Sequence, residues 1–391
     1  MRPATNSGHL QQVRLGNLST VLLSLVDRPG SRADLAQRVG LTKATVASLI
    51  EPLLDQRILI EDAATISGRG RPSKPLRFHP EAPIALGAEI NVGYLAVTTT
   101  GIDGAILSTR HLDVDNRRRS AEDLVGHLID LIEQDETYRG RRVFGAGLAV
   151  PGIVVGDTVV RAPNVPGLTG ARLADRLRTA LGLDIVEVDN EANLAALAHL
   201  WPRKLAGDDF LYVSGDVGIG GGLVTGGTLY RGVSGFAGEL GHISIERAGR
   251  RCRCGGQGCV EQYAGLDAIL GDAGLDNLRA LSNALADADI DARGAVARAG
   301  AALGVALASV INICDLTTVV LGGCYAEIFE PLAPALGAEL ERRTLAANSR
   351  PTTVLAAPVR SDAAVRGGAA LVARRACTEP ERLLQAAHTT S

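Results

Sequence analysis

Aromatic residues and cysteines are scarce in this chain. Only 3% of its 391 residues are aromatic, and it holds 6 Cys and 1 Met. No apolar run approaches the length needed to span a membrane, and residues 1–7 lack the apolar core of a signal peptide. We therefore expect a cytoplasmic protein with no membrane partner, in which clustered cysteines bind metal rather than form disulfides.

The length and the hydrophobic content of 46% indicate a globular protein of two or three domains. Its net charge of -3 is unevenly placed, because residues 1–80 carry 11 Lys and Arg against 6 Asp and Glu. An excess of basic residues in the N-terminal segment favours an anionic partner such as DNA. Many soluble domains carry a similar charge, so this observation alone does not decide the partner.

Three helices are predicted within the first sixty residues. Apolar residues recur at helical spacing over 15–26, Ser31 is a candidate N-cap for a second helix that stops at Gly40, and a third helix opens at Thr42. Pro52 is expected to kink or end the third helix near 48–51. The second and third helices, with the short turn between them, predict a helix-turn-helix.

Short strands at 58–61 and 76–79 are predicted to flank a wing. The tip between them carries two arginines among glycines and a proline, which suits a narrow and electronegative minor groove. The alternative is a mobile basic linker. Polar side chains at the start of the third helix reach phosphates and base edges in a major groove. The predicted DNA contacts are Arg32, Thr42, Lys43, Thr45, Ser48, Arg69 and Arg71.

From Pro83 onward, strands separated by glycine turns alternate with helices. Two such sets, with helices between the strands, predict two α/β lobes with a cleft. The predicted strands are 84–90, 94–99, 105–114, 143–150, 185–188, 210–213, 221–229 and 317–321, and the main helices are 120–136, about 295–313 and about 362–377.

Four potential metal ligands lie within eighteen residues: His242, Cys252, Cys254 and Cys259. A Cys3His set is typical of tetrahedral zinc, and the glycines among the cysteines let the backbone turn tightly around an ion. Because four protein ligands leave no position for an activated water, we predict a structural Zn²⁺. The alternative is a reduced cysteine cluster without metal.

Taken together, these motifs resemble the ROK family (repressors, open reading frames and kinases). The resemblance runs over essentially the whole chain. It implies a winged helix-turn-helix (α+β) DNA-binding domain at 1–80. A two-lobed α/β domain of the actin/hexokinase-like (ribonuclease H-like) kind, with a zinc-binding loop, would follow at 83–391. Lobe one would comprise about 83–190 plus the C-terminal helix, and lobe two about 191–375.

The resemblance also implies a sugar site in the cleft. Buried carboxylates and amides can satisfy several sugar hydroxyls at once. Plainer roles are open to three of the matching residues: Asn164 could hold a turn, Glu191 could complement a helix dipole, and Glu261 could be a solvated acid. Order and spacing together favour sugar binding. The matching positions are Gly152, Asn164, Asn190, Glu191, Glu239, His242 and Glu261.

The phosphate-handling features of the family's kinases are altered here. Residues 89–94 replace the kinase sequence Asp-x-Gly-Gly-Thr-Lys and lack its paired glycines and its lysine. Asp216 brings a carboxylate into the second glycine run, where it would repel phosphates. Glu191 stands at the position of the catalytic Asp, and a misplacement of about 1 Å can cost about 100-fold in rate. We therefore predict that the protein is not an enzyme.

The resulting prediction is a sugar-responsive DNA-binding transcriptional regulator resembling the xylose-repressor type of ROK regulator. It would be a repressor released or modulated by a free monosaccharide such as xylose or a hexose. On operator DNA it would act as a homo-oligomer, dimer or tetramer. One alternative is an ATP-dependent sugar kinase with an appended DNA-binding domain. Another is a DNA-binding protein whose sugar site is vestigial or takes a different ligand, such as a sugar phosphate. The sequence leaves open the sugar, the operator and the choice between repressor and activator.

Overall fold

The computed structural model describes residues 5–63, 74–359 and 362–386. Its N-terminal part has the predicted order of three helices and two paired antiparallel strands. The predicted wing tip, with Arg69 and Arg71, lies outside the described residues. The elements are α1 (Thr5–Asp27), α2 (Arg32–Val39), α3 (Lys43–Asp55), β1 (Leu59–Glu61) and β2 (Leu76–Phe78).

The ends of α2 follow the predicted signals. Ser31 and Asp34 form a capping box, and Gly40 ends the helix in the left-handed conformation with φ of 68°. Thr42 caps α3 by accepting a hydrogen bond from the Thr45 amide. These caps fix the turn between the two helices.

The helix α3 does not end near 48–51, as one form of the prediction had it, because it runs through Pro52 to Asp55. Proline has no N–H for the carbonyl four residues earlier, which belongs to Ser48. A guanidinium N–H of Arg14 in α1 donates to that carbonyl at 3.2 Å. The buried side chain of Leu53 packs the last turn into the module's core. Tertiary contacts therefore offset the missing backbone hydrogen bond.

Lobe one is built on a five-stranded sheet of order β5-β4-β3-β6-β9, with β7 and β8 forming a separate hairpin. Strand β3 pairs antiparallel to β4 and parallel to β6, which pairs parallel to β9. Its elements are β3 (Ile84–Ile90), β4 (Tyr94–Gly101), β5 (Ile106–Asp113), α4 (Ala121–Glu133), β6 (Val143–Val150), β7 (Ile153–Val155), β8 (Thr158–Arg161), α5 (Leu173–Leu181), β9 (Val186–Asn190) and α6 (Glu191–Leu200).

Lobe two repeats the plan with a sheet of order β12-β11-β10-β13-β14. The predicted single strand over 221–229 is instead part of a hairpin, because Gly226 and Gly227 turn the chain with φ of 56° and 68°. The elements of lobe two are β10 (Phe210–Gly215), β11 (Ile219–Thr225), β12 (Thr228–Tyr230), α7 (Glu261–Ala264), α8 (Leu266–Ala273), α9 (Leu278–Ala286), α10 (Ile290–Cys314), β13 (Thr318–Gly323), α11 (Cys324–Glu327), α12 (Phe329–Arg343) and β14 (Thr353–Ala356). Two helices follow them in the chain, α13 (Ala363–Thr378) and α14 (Pro380–Ala386).

Helix α10 differs from the expectation that no apolar segment is long enough to span a membrane. By length and composition alone this helix could cross a membrane, although the sequence analysis found no segment approaching that length. In the folded chain 56% of its most apolar window is buried. It packs against α12, and its Leu303 and Leu307 lie in the core of lobe two. Its apolar character therefore serves this core.

Helix α13 packs on β3, β6 and α6 of lobe one. Glycines allow this close approach: a Cβ on Gly87 would lie 1.9 Å from the Val365 carbonyl oxygen. The far end of α13 contacts α1, and Cys377 shares an apolar cluster with Leu22. One helix thus touches both the lobe-one sheet and the N-terminal module.

Candidate functional site

A cavity of about 550 Å³ lies between the two lobes. Lobe one contributes the end of β6, the β7–β8 hairpin and the start of α6, and lobe two contributes a glycine turn and the cysteine-rich loop. The volume falls in the range of small-molecule sites. All seven residues predicted from the family pattern line this cavity: Gly152, Asn164, Asn190, Glu191, Glu239, His242 and Glu261.

Gly152 has a packing role besides lining the cavity. A Cβ at this position would lie 2.4 Å from the Arg161 carbonyl oxygen across the β7–β8 hairpin. The glycine is therefore needed for hairpin packing.

Asn190 organises the start of α6. Its Oδ1 accepts hydrogen bonds from the amides of Ala192 at 2.8 Å and Asn193 at 3.3 Å, and its Nδ2 donates to the Gly152 carbonyl at 3.0 Å. The side chain is thus an N-cap as well as a cavity wall. One amide hydrogen is left to meet a ligand.

Glu191, the first residue of α6, has a carboxyl group in an unusual state. Burial, with the nearby Asp216 and Glu89, raises its pKa to about 8. Its Oε2 is buried and has no hydrogen-bond partner among the described residues. A protonated carboxyl can both donate to and accept from a sugar hydroxyl, so this group suits sugar recognition.

Glu239 and His242 lie on the opposite wall. The His242 Nε2 is 3.8 Å from the Glu239 carboxylate, and the Nδ1 faces the Cys252 sulfur at 3.8 Å. Burial raises the pKa of Glu239, while His242 and Arg161 oppose that rise. A carboxylate behind a metal-binding histidine fixes the ring's orientation.

The four predicted metal ligands, His242, Cys252, Cys254 and Cys259, converge, with their ligand atoms all within 4.8 Å of one another. The Cys254 and Cys259 sulfurs are 3.7 Å apart. Ligands about 2.3 Å from a shared tetrahedral centre would be separated by about 3.8 Å. The donor set and its spacing therefore fit a zinc ion.

Tight backbone contacts hold the metal-binding loop in shape. Gly258 has φ of 75°, and a Cβ there would lie 1.8 Å from the Glu246 carbonyl oxygen. The Cys252 amide donates to the Gly256 carbonyl at 3.0 Å. Just beyond the loop, the Glu261 carboxylate accepts from the Ile219 amide of the glycine turn at 3.2 Å. Glu261 is therefore partly committed to joining the loop to the lobe-two sheet.

Two further acids, Glu89 and Asp216, lie near Glu191. Glu89 is only 2% exposed, and its carboxylate accepts hydrogen bonds from the Tyr94 hydroxyl at 2.7 Å and the Asn91 amide at 3.1 Å. Burial raises the pKa of Glu89. Asp216 is exposed to solvent, yet desolvation by the surrounding protein, together with Glu89, raises its pKa to about 7. With Glu191, three carboxyl groups crowd this region, and none of them can balance the negative charge of a bound polyphosphate.

The predicted DNA contacts have differing surroundings. Thr42, Lys43 and Ser48 are exposed on α3, whereas Thr45 is half-buried and its hydroxyl lies 2.9 Å from that of Thr42. Arg32 forms ion pairs with Glu51 at 2.9 Å and Glu61 at 2.8 Å. Arg32 thus ties α2 to α3 and β1, a role that sequence reasoning did not foresee.

The sequence analysis missed the cavity residue Phe236 and an ion pair beside the cavity, between Asp189 and Arg231. Asp189 is buried and ion-pairs with Arg231 at 2.7 Å, joining the end of β9 to the loop after β12. Phe236 lines the cavity and is 51% exposed. Phe236 could have been found from the sequence, because it is an isolated aromatic residue in a glycine-rich segment. The contact between Asp189 and Arg231 joins residues 42 positions apart, and no local pattern reveals it.

The ROK family model matches residues 85–375 of this chain. The chain belongs to the ROK family. Over 334 residues it is 30% identical to the xylose repressor of Bacillus subtilis strain 168, covering 82% of this chain and 84% of that repressor. A ROK family transcriptional regulator of known crystal structure, described as a homologue of the Escherichia coli Mlc protein, superposes with a TM-score of 0.81 and 25% identity, covering 95% of this chain and 99% of that chain.

ROK kinases are also similar to this ROK protein, over a smaller part of it. The crystal structure of a glucokinase from Streptomyces griseus, in complex with glucose and AMPPNP, superposes with a TM-score of 0.64 and 26% identity. The match covers 98% of the kinase but 74% of this chain. The regulator structure therefore superposes on a larger share of this ROK chain than the kinase structure does.

Proposed function

We propose that this ROK protein is a sugar-responsive DNA-binding transcriptional repressor and not a kinase. The acidic cluster of Glu89, Asp216 and Glu191 carries the proposal. By the resemblance, Glu89 and Asp216 stand at the two phosphate loops of the family's kinases and Glu191 at their catalytic Asp, while the cavity keeps its polar lining. Carboxyl groups at these positions can hydrogen-bond to an uncharged sugar but cannot balance the negative charge of the phosphates of ATP.

DNA binding is assigned to residues 1–80 as a winged helix-turn-helix, and sugar binding to residues 83–391. Lys43 and Ser48, exposed at the start of α3, would contact the major groove, and Arg69 and Arg71 would serve the wing. A homo-oligomer, dimer or tetramer, would present paired helices to an operator with two half-sites.

The Cys3His cluster would hold a structural Zn²⁺. When bound, the ion supplies a fixed tetrahedral anchor for the loop between β12 and α7. Glu239, His242 and Glu261 all lie on or beside this loop, so their positions in the cavity depend on its shape. The metal's role is to preserve the sugar site.

Sugar would act on DNA binding through a shift in lobe closure. Helix α13 contacts α6, whose first residues line the sugar cavity, and also contacts α1 of the DNA-binding module. A change in the cavity can therefore reach the module through one rigid element. Moving the population from 1:99 to 99:1 requires the sugar to prefer one state by about 5.5 kcal/mol.

Similarity to a repressor named for xylose makes this pentose the first effector to test. We would measure thermal unfolding of the purified protein with D-xylose, D-glucose and N-acetylglucosamine, each with and without Mg-ATP. We expect one free sugar to raise the melting temperature, ATP to add nothing, and Glu239→Ala to abolish the shift. The same sugar should release the protein from a DNA duplex selected from a random library.

Two results would contradict this proposal. Stabilisation by Mg-ATP together with formation of a sugar phosphate would identify a kinase with an appended DNA-binding domain. DNA binding that is indifferent to every free sugar, but responds to a sugar phosphate, would assign a different effector to the cavity. Mass spectrometry of the sugar after incubation distinguishes the first result, and DNA release distinguishes the second.

A further inference from the structure

The loop from Arg231 to Glu239 forms one wall of the cavity and brings an aromatic ring into it. Phe236 is one of only 5 Phe in the chain and is 51% exposed, whereas most large apolar side chains of the body are buried. Its surroundings are cavity-lining groups, with Glu239 and His242 on the same wall. An exposed aromatic ring inside a polar cavity calls for an explanation by ligand binding.

The loop is held in place from both lobes. Gly235 has φ of 80°, and a Cβ there would lie 2.7 Å from the Val154 carbonyl oxygen in lobe one. Gly238 has φ of 94°, and a Cβ there would lie 2.1 Å from the Gly221 carbonyl oxygen in lobe two. Because backbone packs on backbone at both points, the segment between them, which includes Phe236, has little room to shift.

An ion pair between the lobes fixes the base of the same loop. Arg231 donates from Nε to the Asp189 carboxylate at 2.7 Å, and the Arg231 carbonyl accepts from the Ala237 amide at 3.2 Å. The other Asp189 oxygen accepts from the Asn190 amide at 2.7 Å and from the Asn193 side chain at 2.8 Å. The loop carrying Phe236 is therefore tied directly to the start of α6, the other wall of the cavity.

We propose that Phe236 is a specificity-determining residue that stacks on the C–H face of a pyranose, and that Arg231 is the positioning residue that holds it there. This inference rests on the proposed sugar-binding function and specifies which class of sugar the cavity prefers. The face of an aromatic ring carries partial negative charge and attracts the weakly positive hydrogens of sugar carbons. The ring is placed against the face that carries the axial H2 and H4 of D-xylose and D-glucose. D-galactose has an axial O4 on this face, so stacking there favours the first two sugars.

The test is calorimetric titration of the full-length, zinc-loaded protein and its variants with D-xylose, D-glucose and D-galactose. Phe236→Ala should weaken binding of the preferred sugar by about tenfold and reduce its preference over D-galactose. Phe236→Tyr, which keeps the ring, should retain wild-type affinity. Val233→Ala is the matched control, since Val233 is fully exposed on the same loop and does not line this cavity.

Arg231 is tested with two substitutions. Arg231→Gln should weaken sugar binding by about tenfold with unchanged zinc content, and Arg231→Lys should restore most of the affinity by keeping the charge opposite Asp189. A purely structural role would lower the melting temperature of both variants without affecting sugar preference. The ratio of D-glucose to D-galactose affinity therefore separates the two roles.

Sugar affinity within twofold of wild type for Phe236→Ala, with binding still abolished by Glu239→Ala, would overturn this inference and leave the proposed function standing. Altered oligomeric state in Phe236→Ala at unchanged sugar affinity would also overturn it, because the ring would then serve assembly. If the wild-type protein binds no monosaccharide, both the proposed function and this inference fail.

Discussion

Gly367 of α13 lies directly against the backbone of Leu194 in α6: a Cβ on Gly367 would fall 1.7 Å from the Leu194 carbonyl oxygen. No side chain can occupy that space without separating the two helices. Because α6 begins at the cavity and α13 reaches α1, this contact lies on a path between the cavity and the N-terminal module.

We predict that Gly367→Ala destabilises the protein by about 1–3 kcal/mol, the cost of overpacking a tight contact, and weakens the effect of sugar on DNA affinity. Chemical denaturation and DNA titrations with and without sugar measure both effects. Gly126→Ala is the control, since Gly126 lies within α4 with open space around its Cβ position, and alanine should leave the helix as stable or more so. Equal stability of Gly367→Ala and wild type would contradict the helix contact.

Removal of one cysteine ligand should release the metal. Cys252→Ser is expected to lose one equivalent of zinc and to bind sugar at least about tenfold more weakly, because the loop that carries Glu239 loses its anchor. Elemental analysis and calorimetry measure the two effects. Cys314→Ser, at a half-buried cysteine outside the cluster, should keep full zinc content. Undiminished zinc in Cys252→Ser would show that the Cys3His set is not the site.

The raised pKa values of two carboxyl groups predict that the free energy of unfolding falls as the pH rises. The pKa of Asp216 is about 7 and that of Glu191 about 8, both above the values of an unfolded chain. The folded protein therefore holds these protons over a range where the unfolded chain has released them. Their contribution is present at low pH and lost as the pH rises through about 7 to 8.

Asp216→Asn removes one of these groups. We expect the decline in melting temperature between about pH 4 and 7 to become shallower in this variant than in wild type. Asp276→Asn, at an exposed carboxylate in lobe two, should retain the wild-type slope. Identical slopes in wild type and Asp216→Asn would mean that Asp216 is ionised throughout this range.

Lys43 should contribute to DNA binding through phosphate contact. Lys43→Ala is expected to weaken binding about equally for all sequences and to reduce the slope of log affinity against log salt by about 1. Fluorescence anisotropy over a salt series measures this slope. Arg118→Ala removes an exposed charge from lobe one and should leave the slope unchanged. A loss of affinity confined to one sequence would assign Lys43 to base contact instead.

Much of the architecture follows from local signals in the sequence. Val143–Val150 is predicted residue for residue, because a continuous apolar run between polar turns suits a strand buried on both faces. Pro52 shows where local rules stop, since the donor that replaces its missing N–H comes from Arg14 in another helix. The hairpin at Gly226–Gly227 was missed for a different reason: glycines are compatible with both a strand and a turn.

The candidate site was predictable wherever a short motif carries it. His242 and the three cysteines lie close in sequence, and the structure brings their ligand atoms together. Gly152 lines the cavity, but its packing against the Arg161 carbonyl oxygen is a contact that the motif does not reveal. The pair of Asp189 and Arg231 depends on how the two lobes meet, which periodicity and spacing do not encode.

The shared apolar cluster between α1 and α13 limits how freely DNA-binding modules can be exchanged. Leu22 and Cys377 are packed into the same core, so the boundary between the module and the body is not a simple linker. A chimera that takes residues 1–80 from another regulator would bury a mismatched helix face against α13. Functional hybrids should therefore require the donor's last two helices as well, and sequence changes on the two surfaces should arise together during divergence.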